Sequence, residues 1–285
     1  MTTAIEATPP ADARGRVIVR QHLATRITHW LWAICMFFLL LSGLQIFNAH
    51  PALHIGKEAG FEYSNSILEI GSDDSGAAPK GITTIFGHPF ETTGVLGVSG
   101  SGDAVAETAF PGWLTIPSEQ DLASGRVVHF FFAWIFVATV VSWFVLSLFN
   151  RHVTRDLVPR GSDVSGLWPD IKDHLAFRFH HTRRYSPLQK FTYAAVLFIL
   201  FPLIILTGLT MSPGMDSFMP WLLEIFGGRQ TARTIHFLVM TLFVLFFIVH
   251  ILMIIAAGPI NELRSIITGR YRVTADDALE DDHER

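Results

Sequence analysis

Residues 234–257 read TIHFLVMTLFVLFFIVHILMIIAA and contain no Asp, Glu, Lys or Arg. At about 1.5 Å per residue, a helix of this length crosses a hydrocarbon core of roughly 30 Å. Three more stretches of about 20 residues or more are equally free of charge, and none shows the alternating pattern of a barrel strand. They are 27–49, 127–149 and 191–210. The sequence therefore predicts an all-α integral membrane protein, a bundle of four spanning helices.

The composition of the 285 residues supports this prediction. Half of them are apolar and 16% are Asp, Glu, Lys or Arg, against roughly a quarter in soluble domains. The mean hydropathy is +0.39. The single cysteine, Cys35, excludes a disulfide scaffold, a cysteine-ligated iron–sulfur cluster and covalent haem attachment through a cysteine pair. The net charge of −4 offers no basic face to nucleic acid, so no nucleic-acid partner is expected.

Basic residues are distributed unequally among the connecting segments. The segment 1–26 has four basic and two acidic residues, the loop 150–187 has seven and four, and the loop 50–125 has two and ten. The positive-inside rule therefore predicts an N-in/C-in protein, with both termini and the loop 150–187 in the cytoplasm and the loop 50–125 on the outer side of the membrane. The first span is longer than the apolar core of a signal peptide, so we expect it to be retained.

The loop 50–125 is too long for a simple connector. Its glycine-rich stretch 94–102 lacks the lysine of a phosphate-binding loop. Two interpretations remain open for the loop as a whole. It is either a flexible outer segment or a docking surface, for which Phe110-Pro-Gly-Trp113 would offer an exposed aromatic element.

Four of the 13 histidines fall within the predicted spans: His29, His129, His236 and His250. An ionisable residue at membrane depth is costly and suggests function. His236 and His250 are separated by nearly four helical turns, so they share a face about 21 Å apart along the axis. Because successive helices alternate in direction, His129 lies at the depth of His236 near the outer surface, and His29 lies at that of His250 near the inner surface. The sequence predicts two histidine pairs.

Paired neutral imidazoles within a helical bundle are typical axial ligands of a b-type haem. Zinc or copper normally needs three or four ligands, and the spans contain no carboxylate. The pattern therefore predicts two haem b groups, an outer one at His129/His236 and an inner one at His29/His250. The alternative is that each histidine is a neutral hydrogen-bonding link between helices.

Three arginines each precede one of these histidines by three residues. At that spacing the arginine lies on the same helix face, one turn nearer the surface, where its guanidinium is able to pair with a haem propionate. A helix-end arginine that reaches towards the lipid–water interface is the alternative. The three residues are Arg26, Arg126 and Arg233.

Other residues point less clearly to a functional site. His50 and His54 have helical spacing, but Pro51 between them interrupts a continuing helix. The dipeptides Ser42-Gly43 and Thr207-Gly208 fit the close approach of a helix or of a flat macrocycle, and helix packing alone would also explain them.

Together these features resemble the bacterial cytochrome b561 superfamily. They are more closely similar to the four-helix di-haem cytochrome b subunits of nickel–iron hydrogenases, formate dehydrogenases and thiosulfate-reductase-like complexes. The resemblance covers all four spans but not the loop 50–125, which is much longer than in the formate dehydrogenase subunits. It rests on Arg26-Ile-Thr-His29-Trp30, Ser42-Gly43-Leu44, Gly125-Arg126-Val-Val-His129-Phe130, Thr207-Gly208-Leu209, Ala232-Arg-Thr-Ile-His236 and His250.

The resemblance implies a di-haem domain over 27–257 in the bacterial inner (cytoplasmic) membrane, with the loop 50–125 in the periplasm. This domain would lie between a cytoplasmic segment 1–26 and a cytoplasmic tail 258–285. The resemblance further implies that the outer haem exchanges electrons with a periplasmic redox partner and the inner haem with a membrane quinone. Phe226-Gly-Gly-Arg-Gln230 and Met211-Ser-Pro213 resemble a branch associated with periplasmic molybdopterin oxidoreductases, so the expected partner is similar to such an enzyme or to a hydrogenase.

Three functions remain to be distinguished. The first is an electron-transfer subunit with a quinone site near the inner surface. The second is a stand-alone superoxide:quinone oxidoreductase, although the acidic loop 50–125 would repel superoxide. The third is a haem-free transporter or structural protein, although the sequence shows no internal repeat. Whether the chain alone is an enzyme is left open. The polar candidates for the quinone site, which ordinary interfacial residues would resemble, are Tyr185, Gln189, Lys190, Asn261 and Arg264.

Overall fold

A computed structural model describes residues 17–60, 64–149, 153, 157–176 and 186–272. Within them, four helical segments are long and apolar enough to span a membrane: Leu23–Asn48, Leu122–Phe149, Pro187–Thr210 and Arg229–Ala257. The predicted helical membrane architecture is thus confirmed. The helices begin four or five residues before the charge-free stretches. Consequently each arginine of the three Arg–His pairs lies inside the same helix as its histidine.

The helices are numbered in chain order. Those that precede the third span are α1 (Leu23–Asn48), α2 (Leu122–Phe149) and α3 (Gly161–Leu175). The remainder are α4 (Pro187–Ala195), α5 (Phe201–Thr210), α6 (Pro213–Phe218), α7 (Pro220–Ile225), α8 (Arg229–Ala257) and α9 (Pro259–Thr268).

The third span is one helical segment with a local irregularity. A π-helical turn, Val196–Leu200, joins α4 to α5, and Pro202 lies in the first turn of α5. Proline lacks a backbone N–H and its ring collides with the carbonyl four residues earlier in a regular α-helix. A π turn at this place changes the hydrogen-bond register and accommodates the ring. The third span therefore remains one helical segment, although it contains a proline.

The loop between α1 and α2 contains a folded antiparallel sheet. Its strands are β2 (Ala52–His54), β3 (Ser66–Asp73), β4 (Lys80–Ile85) and β5 (His88–Glu91), and they pair in chain order. The hairpin between β4 and β5 turns at Phe86 and Gly87, both with positive φ, as a two-residue hairpin requires. The segment is therefore a structured element rather than the flexible connector that was one of the two interpretations.

The described residues divide into two compact units. One contains β2–β5 and the adjoining lengths of α1, α2, α5 and α8. Its sheet packs on the helices through a buried apolar cluster of Phe47 at the end of α1 with Leu53, Ile70 and Ala109, and Phe237 of α8 lies against it. The sheet is thus fixed to the helical part of its own unit by apolar contacts.

The other unit contains α3, α4, α9 and the two strands near the chain ends, β1 (Val17–Val19) and β6 (Arg270–Arg272), which pair antiparallel. Arg20 forms an ion pair of 3.1 Å with Glu262 of α9 and lies 4.4 Å above the ring of Tyr271. In the same unit, Lys190 of α4 lies 2.8 Å from Asp163 of α3. The segments before α1 and after α8 are therefore held together.

Candidate haem sites in the membrane helices

The two outer histidines face each other within one unit. The ring centres of His129 on α2 and His236 on α8 are 6.5 Å apart, and their planes are inclined by 59°. This is the pair that the alternation of helix direction predicts. It brings together residues that are more than a hundred positions apart in sequence.

Each outer histidine is oriented by a hydroxyl group on another helix. Nδ1 of His129 lies 3.1 Å from Oγ of Ser42, and Nδ1 of His236 lies 3.0 Å from Oγ1 of Thr207. Both hydroxyls donate their own hydrogen to a backbone carbonyl one turn earlier, each at 2.6 Å. Each oxygen therefore accepts the hydrogen bond from Nδ1–H, which leaves Nε2 as the unprotonated nitrogen of the ring. Such an arrangement is typical of histidines that bind a metal.

The glycine that follows each hydroxyl residue lies against the same imidazole. A Cβ atom added to Gly43 would lie 3.4 Å from Cε1 of His129, and one added to Gly208 would lie 3.3 Å from Cε1 of His236. Larger side chains would therefore displace the rings. The small residue at these two positions makes room for a histidine ring, which is a more specific reason than helix packing in general.

The inner histidines form a second pair within the other unit. The ring centres of His29 on α1 and His250 on α8 are 6.4 Å apart, with planes inclined by 48°. Phe246 stacks on His250 at 5.8 Å and Trp30 meets His29 edge-on at 5.4 Å. Nδ1 of His29 is buried and has no hydrogen-bond partner among the described residues. Within the described part of the chain, these imidazoles contact aromatic rings and form no hydrogen bond to a hydroxyl group.

The ring separations test whether a metal fits between the histidines. A histidine nitrogen, roughly 1.2 Å from its own ring centre, binds a transition metal at about 2.0–2.1 Å, so two rings that face each other across one metal have centres about 6.4–6.6 Å apart. Facing rings joined by a direct hydrogen bond of about 3 Å would have centres only about 5.4 Å apart. The observed 6.4 and 6.5 Å match the first arrangement.

The number of ligands favours haem over a simple metal ion. Among the described residues, no group of three or more His, Cys, Asp or Glu is placed to hold a metal. A haem iron takes its in-plane ligands from the macrocycle and needs only two axial ligands from the protein. Two imidazoles per site therefore fit haem b and do not fit a structural zinc site.

The three arginines lie one turn from their histidines on α1, α2 and α8. Arg26 donates a hydrogen bond to the carbonyl of Ile267, and Arg233 donates one to the carbonyl of His50. The guanidinium of Arg126 lies 5.7 Å from the ring centre of Phe130. Pairing of these arginines with haem propionates stays a prediction.

The structure gives local partners to several of the quinone candidates. Gln189 closes a capping box with Ser186 at the start of α4, and Lys190 pairs with Asp163. Asn261 bonds both backbone groups of Arg272, at 2.9 and 3.0 Å. Arg264 is half-buried on α9. Tyr185 lies outside the described residues.

Sequence reasoning missed the hydrogen bonds of Ser42 and Thr207 to the histidines and the buried position of His54. A signal for the first two was present, because a hydroxyl residue followed by glycine occurs in two different spans. Pro51 argues against a helix that contains both His50 and His54, but it leaves a strand possible at His54. In the structure, His54 lies on β2 and is buried.

Two facing histidine pairs in membrane-spanning helices are typical of a membrane cytochrome b. The chain belongs to the family of prokaryotic cytochromes b561, whose family model matches residues 20–269. It is also similar to YedZ1 of Azospira oryzae, whose name describes a subunit of a protein-methionine-sulfoxide reductase. The two are 24% identical over 233 residues, which cover 80% of this chain and 86% of that protein. The chain is thus a multi-pass membrane cytochrome of the b561 type, a haem b protein of electron transfer.

The hydroxyl of Thr207 allows a direct test of the outer pair. The T207V variant keeps the side-chain shape but removes the acceptor for Nδ1–H of His236, so we expect about tenfold weaker haem binding at this pair. Haem release from the detergent-purified protein measures this. The matched control is T241V, because Thr241 is exposed and its hydroxyl donates to the carbonyl of Phe237 on its own helix. Equal release from the two variants would contradict the assigned role.

Proposed function

We propose that this protein is a di-haem cytochrome b that carries electrons across the bacterial inner membrane, between a periplasmic redox partner and the quinone pool. The observation that carries the proposal is the pair of separations, 6.5 Å at His129/His236 and 6.4 Å at His29/His250, each suited to one metal between two imidazoles. His236 and His250 lie on the same helix, fourteen residues apart. One helix therefore contributes a ligand to both sites.

The protein's own residues would hold and orient the two groups. His129 and His236 would bind one haem b, and His29 and His250 the other. When bound, each haem would supply one-electron transfer, and the two imidazoles that hold it would leave no site for oxygen or substrate. Ser42 and Thr207 fix the outer rings through Nδ1. Phe246 and Trp30 restrict the inner rings and surround them with apolar surface.

A partner on the outer side is supported by the loop 50–125. The loop has ten acidic and two basic residues and folds into a sheet. A cavity of about 420 Å³ lies between the end of α1 and this loop, and Glu107 and Glu119 are among its lining residues. Trp113 is 77% exposed, whereas Phe110 packs against the apolar cluster of the sheet. These features suit a partner with a basic surface.

The similarity to YedZ1 supports membership in an oxidoreductase complex. The name of that protein describes a reductase subunit, and the sequence motifs of this chain also resemble those of subunits of periplasmic oxidoreductases. At the inner end of the electron path, we assign a quinone as the reaction partner. The candidate residues for binding it are Gln189, Lys190, Asn261, Arg264 and Tyr185. This assignment rests on the family resemblance and on the polar character of those side chains.

The experiment is anaerobic reduction of the detergent-purified protein by a water-soluble quinol, followed in the α-band of the haem spectrum. We expect both haems to become reduced by the quinol. The absence of quinol-driven reduction, in a protein that dithionite reduces fully, would contradict the quinone link. Consumption of superoxide near the diffusion limit by the protein alone would instead establish the stand-alone oxidoreductase.

A further inference from the structure

The segment that follows α1 is fixed to the first turns of α8. Thr234 Oγ1 donates a hydrogen bond of 2.7 Å to the carbonyl of His54. The backbone N–H of Gly56 donates to Thr231 Oγ1 at 2.7 Å, and the N–H of Thr231 returns a bond of 3.2 Å to the carbonyl of Gly56. A Cβ atom on Gly228 would lie 2.6 Å from that same carbonyl oxygen, so the contact requires glycine. The position of residues 50–56 beside α8 is therefore well determined.

This contact brings two histidines to Arg233. The guanidinium of Arg233 donates to the carbonyl of His50 and lies 5.6 Å from the ring centre of Phe47. The rings of His50 and His54 have centres 5.8 Å apart and are perpendicular. His54 is 6% exposed, and its buried Nδ1 has no hydrogen-bond partner among the described residues. Buried polar nitrogens in folded proteins nearly always have a partner, so an acceptor is expected here.

The charged groups near His54 indicate which kind of acceptor its Nδ1 would bind. Burial lowers the pKa of His54, the neighbouring His50 and Arg233 lower it further, and the carboxylate of Glu69 opposes them. His54 is therefore neutral at pH 7, and Nδ1 is able to carry its hydrogen and act as a donor. A neutral N–H donor next to a guanidinium is suited to a carboxylate, which accepts from both groups.

We propose that His54 and Arg233 together bind a propionate carboxylate of the haem held by His129 and His236. This inference rests on the proposed function, because it requires that haem. Arg233 lies one turn before His236 on α8, and Thr234, the next residue, holds the backbone of His54. The same turn of α8 thus carries Arg233 and holds the backbone of His54, one turn before His236. His54 is assigned as a binding residue for the outer haem.

The test uses the purified holoprotein and three variants. H54F removes the N–H donor and keeps an aromatic ring, H54Q restores a donor, and H88F changes an exposed histidine of β5 as the control. We expect H54F to release the outer haem about tenfold faster than H88F, since losing such a supporting contact typically costs 10- to 100-fold in binding. The resonance Raman bending band of the propionates should shift in H54F and return in H54Q.

The outcomes separate this inference from the proposed function. A wild-type protein without an outer haem would overturn the proposed function and this inference with it. A wild-type protein with two haems, together with an H54F variant whose release rate and propionate band are unchanged, would overturn this inference alone. Faster release without a shift of the propionate band would also overturn it, because His54 would then support the fold or bind a carboxylate of another molecule.

Discussion

The wild-type chain is expected to contain two haem b groups and the H236A variant only one. In the proposed function, His236 and His129 are the two ligands of the outer haem, and their rings are 6.5 Å apart. Alanine removes one axial ligand and the ring that packs against Gly208. A b-type haem has no covalent link to the chain, so the loss of an axial ligand releases it. Haem content per protein, from the pyridine haemochrome spectrum, is the measurement.

A second variant and a control make this prediction specific. H129A should lose the same single haem, since it removes the opposite ligand of the same site. H88A should keep both haems, because His88 lies on the exposed strand β5. If H236A and H129A both retain two haems, the two histidines are not ligands of one group, and the assignment of the outer site is wrong.

The H250A variant is expected to lose quinol-driven reduction of the haem that remains. His250 faces His29 at 6.4 Å, and the proposed path enters the protein from the quinone at this inner site. Without the inner haem, the outer haem should still be reduced by dithionite, whereas its reduction by a quinol should fall to background. Anaerobic stopped-flow spectroscopy in the α-band follows both reactions.

The matched control for this variant is H22A. His22 precedes His29 by seven residues and lies just before the start of α1, so it is the histidine nearest in sequence to the inner ligand. H22A should retain both haems and wild-type reduction. Unchanged quinol-driven reduction of the outer haem in H250A would show that electrons do not pass through the inner site.

The spanning helices and the histidine pairs follow from the sequence because both depend on simple geometric rules. A charge-free stretch of sufficient length has few alternatives to a membrane helix. Once four such helices alternate in direction, the depth of each histidine is fixed by its position in its own span. His129 and His236 could therefore be paired without knowledge of side-chain packing.

The contacts that orient the histidines, and the sheet between α1 and α2, could not be predicted in the same way. The hydrogen bond between Ser42 and His129, and that between Thr207 and His236, join different helices, and the rotation of each helix about its axis decides whether they form. The sheet between α1 and α2 has strands of three to eight residues, whose pairing depends on contacts across the loop rather than on a local period. His54 is placed by hydrogen bonds to α8, far away in sequence.

The haem stoichiometry of the wild-type chain tests the central claim most directly. A pyridine haemochrome spectrum of the detergent-purified protein, with independent protein quantitation, reports the type and number of haems in one measurement. Two b-type haems per chain are expected, one for each histidine pair. A single haem would break the proposed electron path across the membrane, and the absence of haem from protein expressed with sufficient haem supply would contradict the assignment of both sites.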